Sequence, residues 1–149
     1  MVEILDEKMK RIYTYGVFDL LHPGHIKLLE RAKSLGDYLI VGIVADKPIK
    51  ELKGEDRSIQ TQEDRAFIIE SLSCVDKVML QAQYDPSFNL RRLEESNKHV
   101  DILVKGDDWD YIPGTETIEE LGGLLVKLSY SKGHSTSDMV SKIKETQND

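Results

Sequence analysis

The sequence is poor in the features that staple, anchor or extend a chain. It has a single cysteine, Cys74, so an intrachain disulfide is excluded and a reducing compartment is implied. Cys74 lies in the apolar stretch 72–78, which predicts a buried thiol. Long hydrophobic runs are absent: the longest, residues 39–45, falls far short of the roughly 20 residues that cross a bilayer. Residues 1–10 alternate acids and bases with no apolar signal core. These absences predict a soluble, cytoplasmic protein with no membrane segment. Excess positive charge is lacking too. The 20 Lys and Arg residues face 27 Asp and Glu, for a formal net charge of −7, which argues against the basic face of a general nucleic-acid binder. There is no linker, repeat or low-complexity block. With 149 residues, 40% of them hydrophobic, the chain reads as one domain over 1–149 with its core at about 11–144.

What is present is an alternation of short β-type runs with helical patterns. Residues 12–15 read as a strand, rich in β-branched and aromatic side chains. Residues 23–35 follow as a helix, with Leu28, Leu29, Ala32 and Leu35 on one stripe and Gly36 placed to cap its end. The unbroken apolar run 38–45 predicts a strand covered on both faces. Thr61 and Asp64 stand at capping-box spacing at the start of a helix over 61–72. Further strands are expected at 75–80, 101–105 and 124–128, and further helices at 87–97, 117–121 and 138–145. Residues 47–57, with Lys47, Lys50, Lys53 and Arg57 among three acids, read as an exposed polar loop. Strands alternating with helices predict an α/β fold: a doubly wound, parallel, Rossmann-like sheet of about five strands. Ligands in such folds bind beyond the carboxyl ends of the strands, which places the first strand–helix turn, 16–25, at the site.

That turn carries the chemistry. Gly16 and Gly24 would let backbone approach a ligand closely, and the helix start offers N–H groups and positive potential to phosphate. Pro23 suits the first helical turn. His22 and His25, three residues apart, can point the same way. Two imidazoles there could ligate a metal, act as acid and base, or donate hydrogen bonds to phosphate. No neighbouring cysteine or carboxylate cluster completes a metal site, and the donor role suits a phosphate best.

Residues 13–36, YTYGVFDLLHPGHIKLLERAKSLG, resemble the cytidylyltransferase-like family of nucleotidyltransferases, and the resemblance extends to about residue 144. Within G-x-F-D-x-x-H-x-G-H, between a strand and a helix, the four-residue histidine pattern becomes specific. The resemblance implies a nucleotidyltransferase in which His22 and His25 bind the triphosphate and stabilise the transition state. It implies that Arg65 reaches the phosphates from its helix and that a lysine of the 47–57 segment, Lys53, does so as well. Gly16, Val17, Phe18, Asp19, Gly24, Asp108, Ser135 and Thr136 are implied to contact the nucleotide, and Lys50 and Arg57 the substrate. Mg²⁺ is expected on the nucleoside triphosphate rather than in a protein cage. Relatives are often dimers, so a homodimer is expected by resemblance alone.

Members differ in nucleotide and acceptor. Gly106-Asp107-Asp108-Trp109 looks like the glycerol-3-phosphate cytidylyltransferases. Those enzymes, however, carry arginine where this chain has Ser73, and Arg-Thr-Glu-Gly where it has Tyr130-Ser131-Lys132-Gly133. Both arginines are also absent from the nucleotidyltransferase domain of heptose-phosphate adenylyltransferases, which Leu52-Lys53-Gly54-Glu55-Asp56-Arg57 and Val104-Lys105-Gly106 further resemble. The balance leans to a sugar-phosphate acceptor such as heptose-1-phosphate. CTP and ATP both stand, as does a phospho-alcohol acceptor. A nucleotide-binding sensor without turnover is the alternative of another class. A phosphoacceptor signalling domain would want an acidic pair where the first strand ends in Tyr15-Gly16.

Overall fold

In a computed structural model, which describes residues 9–107 and 110–129, the alternation in the sequence becomes one sheet flanked by helices. In chain order the elements are β1 (Arg11–Gly16), α1 (Pro23–Lys33), β2 (Tyr38–Val44), α2 (Asp46–Lys53) and α3 (Gln62–Glu70). They continue with β3 (Lys77–Gln81), α4 (Ser87–Glu95), β4 (Ile102–Gly106), α5 (Thr115–Glu120) and β5 (Leu124–Leu128). The strands lie in the order β3-β2-β1-β4-β5, and every pairing is parallel. The chain thus winds outward from β1 to β3, then crosses back to place β4 on the other side of β1. The reversal of strand order falls between β1 and β4, the point beyond whose carboxyl ends folds of this kind bind ligands.

Successive side chains of a strand face opposite sides of the sheet, and the central strands use both. Tyr13 and Tyr15 of β1 join Ile40 and Val44 of β2 on one face, packed with Leu90 and Leu93 of α4 and Ile118 of α5. Ile12 joins Leu39, Val41 and Ile43 on the other, packed with Leu29 and Ala32 of α1 and Ile69 of α3. This is the doubly wound parallel sheet expected from the sequence. Among the described residues, no helix is long and apolar enough to cross a membrane.

The local departures have physical reasons. Residues 46–53, all but the first inside the expected loop 47–57, form the helix α2, which begins on Asp46 and Pro48 and buries only Pro48 and Ile49. Acid and proline suit a first helical turn, and so narrow an apolar stripe leaves the rest of the helix as charged as a loop. Gly36 is not the cap of α1: Ser34 takes that place in a right-handed conformation. Gly36 is instead a point of close approach, where a Cβ would meet Ile12 Cδ1 and the Lys10 carbonyl oxygen, each at 2.8 Å. The expected helix at 138–145 lies outside the described residues.

Gly42 in β2 has a similar reason to lack a side chain. Beneath it, the buried Tyr13 hydroxyl donates to Gln81 Oε1 at 2.7 Å and accepts from Asn89 Nδ2 at 3.0 Å. A Cβ on Gly42 would collide with that hydroxyl and lie 2.6 Å from Gln81 Oε1. Gly42→Ala is therefore expected to cost about 1–3 kcal/mol, as overpacking of a filled interior does. A urea unfolding midpoint equal to that of wild type would refute this.

Candidate active site

The first strand–helix turn builds its site from the cap of α1. His22 is the N-cap residue, extended at φ −140° and ψ 169°, and Pro23 opens the helix. The Gly24 N–H donates to His22 Nδ1 at 3.1 Å, and the His22 N–H donates to His25 Nδ1 at 3.2 Å. The two rings stack with centroids 3.7 Å apart and an angle of 24° between them; both side chains are buried.

This reciprocal cap fixes the protonation of both rings. A ring nitrogen that accepts an N–H carries no proton of its own, so each neutral imidazole holds its proton on Nε2. Burial pushes the His25 pKa down to about 3, and a proton on His22 or the nearby Lys105 charge would oppose its protonation further. The site therefore offers an Nε2–H from each ring, with the His25 ring neutral. Backbone N–H groups expected to meet a phosphate directly are taken inside the cap: Gly24 by His22 Nδ1 and His25 by the His22 carbonyl at 3.0 Å. The imidazoles relay that donor character outward, each polarised by the backbone donor behind it.

The loop before the cap is held under strain. Phe18 and Leu20 have φ of 54° and 53°, a left-handed conformation that costs roughly 1–2 kcal/mol for a residue with a Cβ. Such outliers persist only where neighbours enforce them, and here they do. The Phe18 ring meets His25 edge-on, with centroids 5.4 Å apart. Gly16 leaves room for it, because a Cβ there would come within 3.0 Å of Phe18 Cε2. The buried Asp19 carboxylate accepts from the Ile59 and Gln60 N–H groups at 2.8 and 2.9 Å, and the Leu20 N–H donates to Gln60 Oε1 at 3.0 Å. The Asp19 side chain, expected at the nucleotide, thus ties the 16–22 turn to the segment before α3.

Arg65 departs furthest from expectation. Its side chain is fully buried, and its guanidinium is bonded to groups of the protein. Nε donates to the Gln60 carbonyl at 3.2 Å, Nη1 to the Val17 and Val44 carbonyls at 2.7 and 2.8 Å, and Nη2 to Asp46 Oδ1 at 2.6 Å. One guanidinium braces the ends of β1 and β2, the start of α2 and the segment before α3. Burial would raise the Asp46 pKa, but hydrogen bonds from Arg65 and from the Gln62 N–H outweigh it and hold the carboxyl below its usual range.

Lys53 ends α2, where partial burial and the Arg57 charge lower its pKa while Asp19 raises it. Lys53, Arg57 and Asp19 are therefore electrostatic neighbours beside the turn. Lys50, one helical turn earlier, is exposed. Asp108, Ser135 and Thr136 lie outside the described residues. Among the described residues, no three His, Cys, Asp or Glu side chains converge as they would around a metal ion.

Two residues near the site went unassigned in the sequence. Lys105 of β4 donates to the Tyr15 carbonyl at 2.7 Å and sits 4.3 Å from the centre of the Tyr15 ring, adding positive charge beside His25. Its signal was a lysine at the carboxyl end of an otherwise apolar strand. Tyr84, after β3, packs against the cluster that holds Tyr15 and Val44 and gave no sequence signal. Ser73 lies elsewhere: it is exposed in the turn that leads into the amino end of β3, at the end of the sheet opposite the histidines. Cys74 is half-buried rather than buried, and burial raises its thiol pKa.

The sequence model of the family described as Cytidylyltransferase-like matches residues 13–138. The bifunctional protein HldE of Helicobacter pylori strain P12 is 42% identical over the whole of this chain, which covers 31% of that protein's length. The protein of the same name from Citrifermentans bemidjiense is 40% identical over 90% of the chain, covering 27% of its length. The chain thus spans about a third of the relatives it matches. Among solved structures, a lipopolysaccharide core biosynthesis protein from Thermoplasma volcanium superposes with a TM-score of 0.66 at 27% identity, covering 83% of this chain and 99% of that one.

Proposed function

The chain belongs to the cytidylyltransferase-like family of nucleotidyltransferases, and from that premise we propose that it moves a nucleoside monophosphate from CTP or ATP onto a phosphorylated sugar, releasing pyrophosphate. The observation that carries this reading is the pair of stacked imidazoles, each fixed as an Nε2–H donor by a backbone N–H on its Nδ1. In the proposed reaction an oxygen of the acceptor phosphate attacks the α-phosphorus, and the bond to the bridging oxygen of the departing pyrophosphate breaks on the opposite side. Such a transfer asks for little covalent help; it needs in-line placement and donors aimed where charge gathers. Rigid donors suit that task because they need no reorganisation as the charge moves. Lys53, with Lys50 behind it, would bring compact positive charge from α2.

Mg²⁺ fits this arrangement as a passenger of the triphosphate, since it is held largely by phosphate oxygens and water. When bound it would neutralise charge on the phosphates. The Leu52–Arg57 and Val104–Gly106 stretches support the sugar-phosphate preference, and so does the likeness to a lipopolysaccharide core biosynthesis protein.

A pyrophosphate-release screen tests the reading, with CTP and ATP each offered glycerol-3-phosphate, choline phosphate, ethanolamine phosphate and heptose-1-phosphate. Release is expected with heptose-1-phosphate. Release with only the phospho-alcohols would move the acceptor to that class. Tight nucleotide binding with no release from any pair would make the chain a sensor.

A further inference from the structure

Beside the imidazole pair, two polar groups are buried with nothing to bond. Among the described residues, Arg57 Nε and Tyr84 Oη are shut from solvent without a hydrogen-bond partner. Buried donors left unpaired are costly, and the polar network next to these two is bonded. Asp19, Gln60, Asp46, Gln62 and Arg65 close on one another through short bonds. Two orphans beside such a network mark a place built for something else.

Their positions agree. Arg57 lies in the segment that the Asp19 carboxylate holds by the Ile59 and Gln60 N–H groups. Tyr84 follows β3, its carbonyl accepting from Gln81 Nε2 at 3.1 Å and its ring packed on the cluster of Tyr15, Val44 and Ile49. Both therefore stand beyond the carboxyl ends of the strands, on the β2–β3 side of the histidines. Burial raises the Tyr84 pKa while the Arg57 and Arg65 charges lower it, which places the phenol within the field of both guanidinium groups. Lys53 feels the Arg57 charge as well. A guanidinium, an ammonium and a phenol hydroxyl gathered there suit a ligand with an anionic end and a hydroxyl-bearing body.

We propose that Arg57 and Tyr84 form the acceptor subsite, with Arg57 taking the phosphate of a phosphorylated sugar and the Tyr84 hydroxyl bonding one of its ring hydroxyls. This rests on the transfer reading and adds the residues that select the acceptor. Tyr84 is the specificity-determining member, because a site built to bond a hydroxyl discriminates strongly against a ligand that lacks one. Arg57 supplies affinity for any phosphate.

The test compares wild type, Tyr84→Phe and Arg57→Gln by calorimetric titration with heptose-1-phosphate and with inorganic phosphate, alongside thermal melts without ligand. Tyr84→Phe keeps the ring and its packing and removes only the unpaired hydroxyl. It is expected to melt no lower than wild type, to bind inorganic phosphate normally, and to bind the sugar phosphate about tenfold more weakly. Arg57→Gln is expected to weaken both ligands by tenfold or more. Wild-type affinity for both probes in both variants overturns the proposal, as does a wild-type protein that binds neither probe. Normal acceptor binding by wild type without pyrophosphate release would instead count against the transfer reading and leave the subsite standing.

Discussion

Arg65→Met is expected to destabilise the protein by about 3–5 kcal/mol, because it removes a fully buried guanidinium that serves four acceptors, one of them the half-buried Asp46 carboxylate. Methionine fills much of the same volume but leaves the carbonyls of Val17, Val44 and Gln60 and the Asp46 carboxylate without the group that now satisfies them. For a domain of this size each kcal/mol moves the melting temperature by roughly 2–4 °C, so the melt should fall on the order of 10 °C. Arg65→Lys should recover little, because a point charge cannot serve four acceptors spread around a planar fork. The pair also carries a pH signature. Arg65 holds the Asp46 carboxyl below its usual value, so the stability it contributes is present at neutral pH and is lost as pH falls through the carboxylate range. The methionine variant should show a flatter acid limb. A melt within a degree or two of wild type, with nucleotide binding abolished, would return Arg65 to the phosphate-contacting role the sequence suggested.

That contrast shows where sequence reading stops. The doubly wound sheet was legible because it rests on composition repeated along whole elements. The run Tyr38–Val44 is apolar throughout because both faces of β2 are covered, and Thr61 caps α3 by accepting the Asp64 N–H as its spacing implies. The helix α2 was not legible. Its two buried residues, Pro48 and Ile49, are adjacent and set up no helical period, so only the acid and proline of its first turn distinguish it from a charged loop.

The site divides along the same line. His22 and His25 were legible from a local pattern at a helix start, since three-residue spacing alone brings the rings together. The roles of Arg65 and Asp19 depend on partners at Val17, Val44, Asp46, Ile59 and Gln60, which converge only once β1, β2 and α2 have packed. A buried arginine on a helix looks the same in sequence as one that reaches for a ligand. The orphaned groups at Arg57 and Tyr84 are still less visible, because an unmet hydrogen bond is a property of surroundings rather than of residue type.

His25→Ala is expected to lower kcat by about 10²–10³-fold with little change in the KM for nucleotide, the cost of removing one donor aimed at developing charge. The effect should be catalytic rather than structural. Alanine at this position forfeits one cap hydrogen bond, worth about 0.5–2 kcal/mol, and a core of two packed faces can absorb that. The charge state sharpens the test. With its pKa near 3, set first by burial, His25 is neutral throughout the working range and donates from Nε2 without titrating. Its ring-nitrogen resonances should therefore stay constant as the unliganded protein is taken from about pH 8 to pH 5. The linkage follows in sign: the unfolded chain takes up this proton near pH 6.5 and the folded chain near 3. Stability from His25 is thus complete above about pH 6.5 and declines as pH falls toward 3, and the alanine variant should lose that component. A kcat within a few-fold of wild type would end the donor role. A ring that protonates near pH 6.5 would make His25 a cation at the phosphates instead, and the reciprocal cap with His22 could not then hold as it stands.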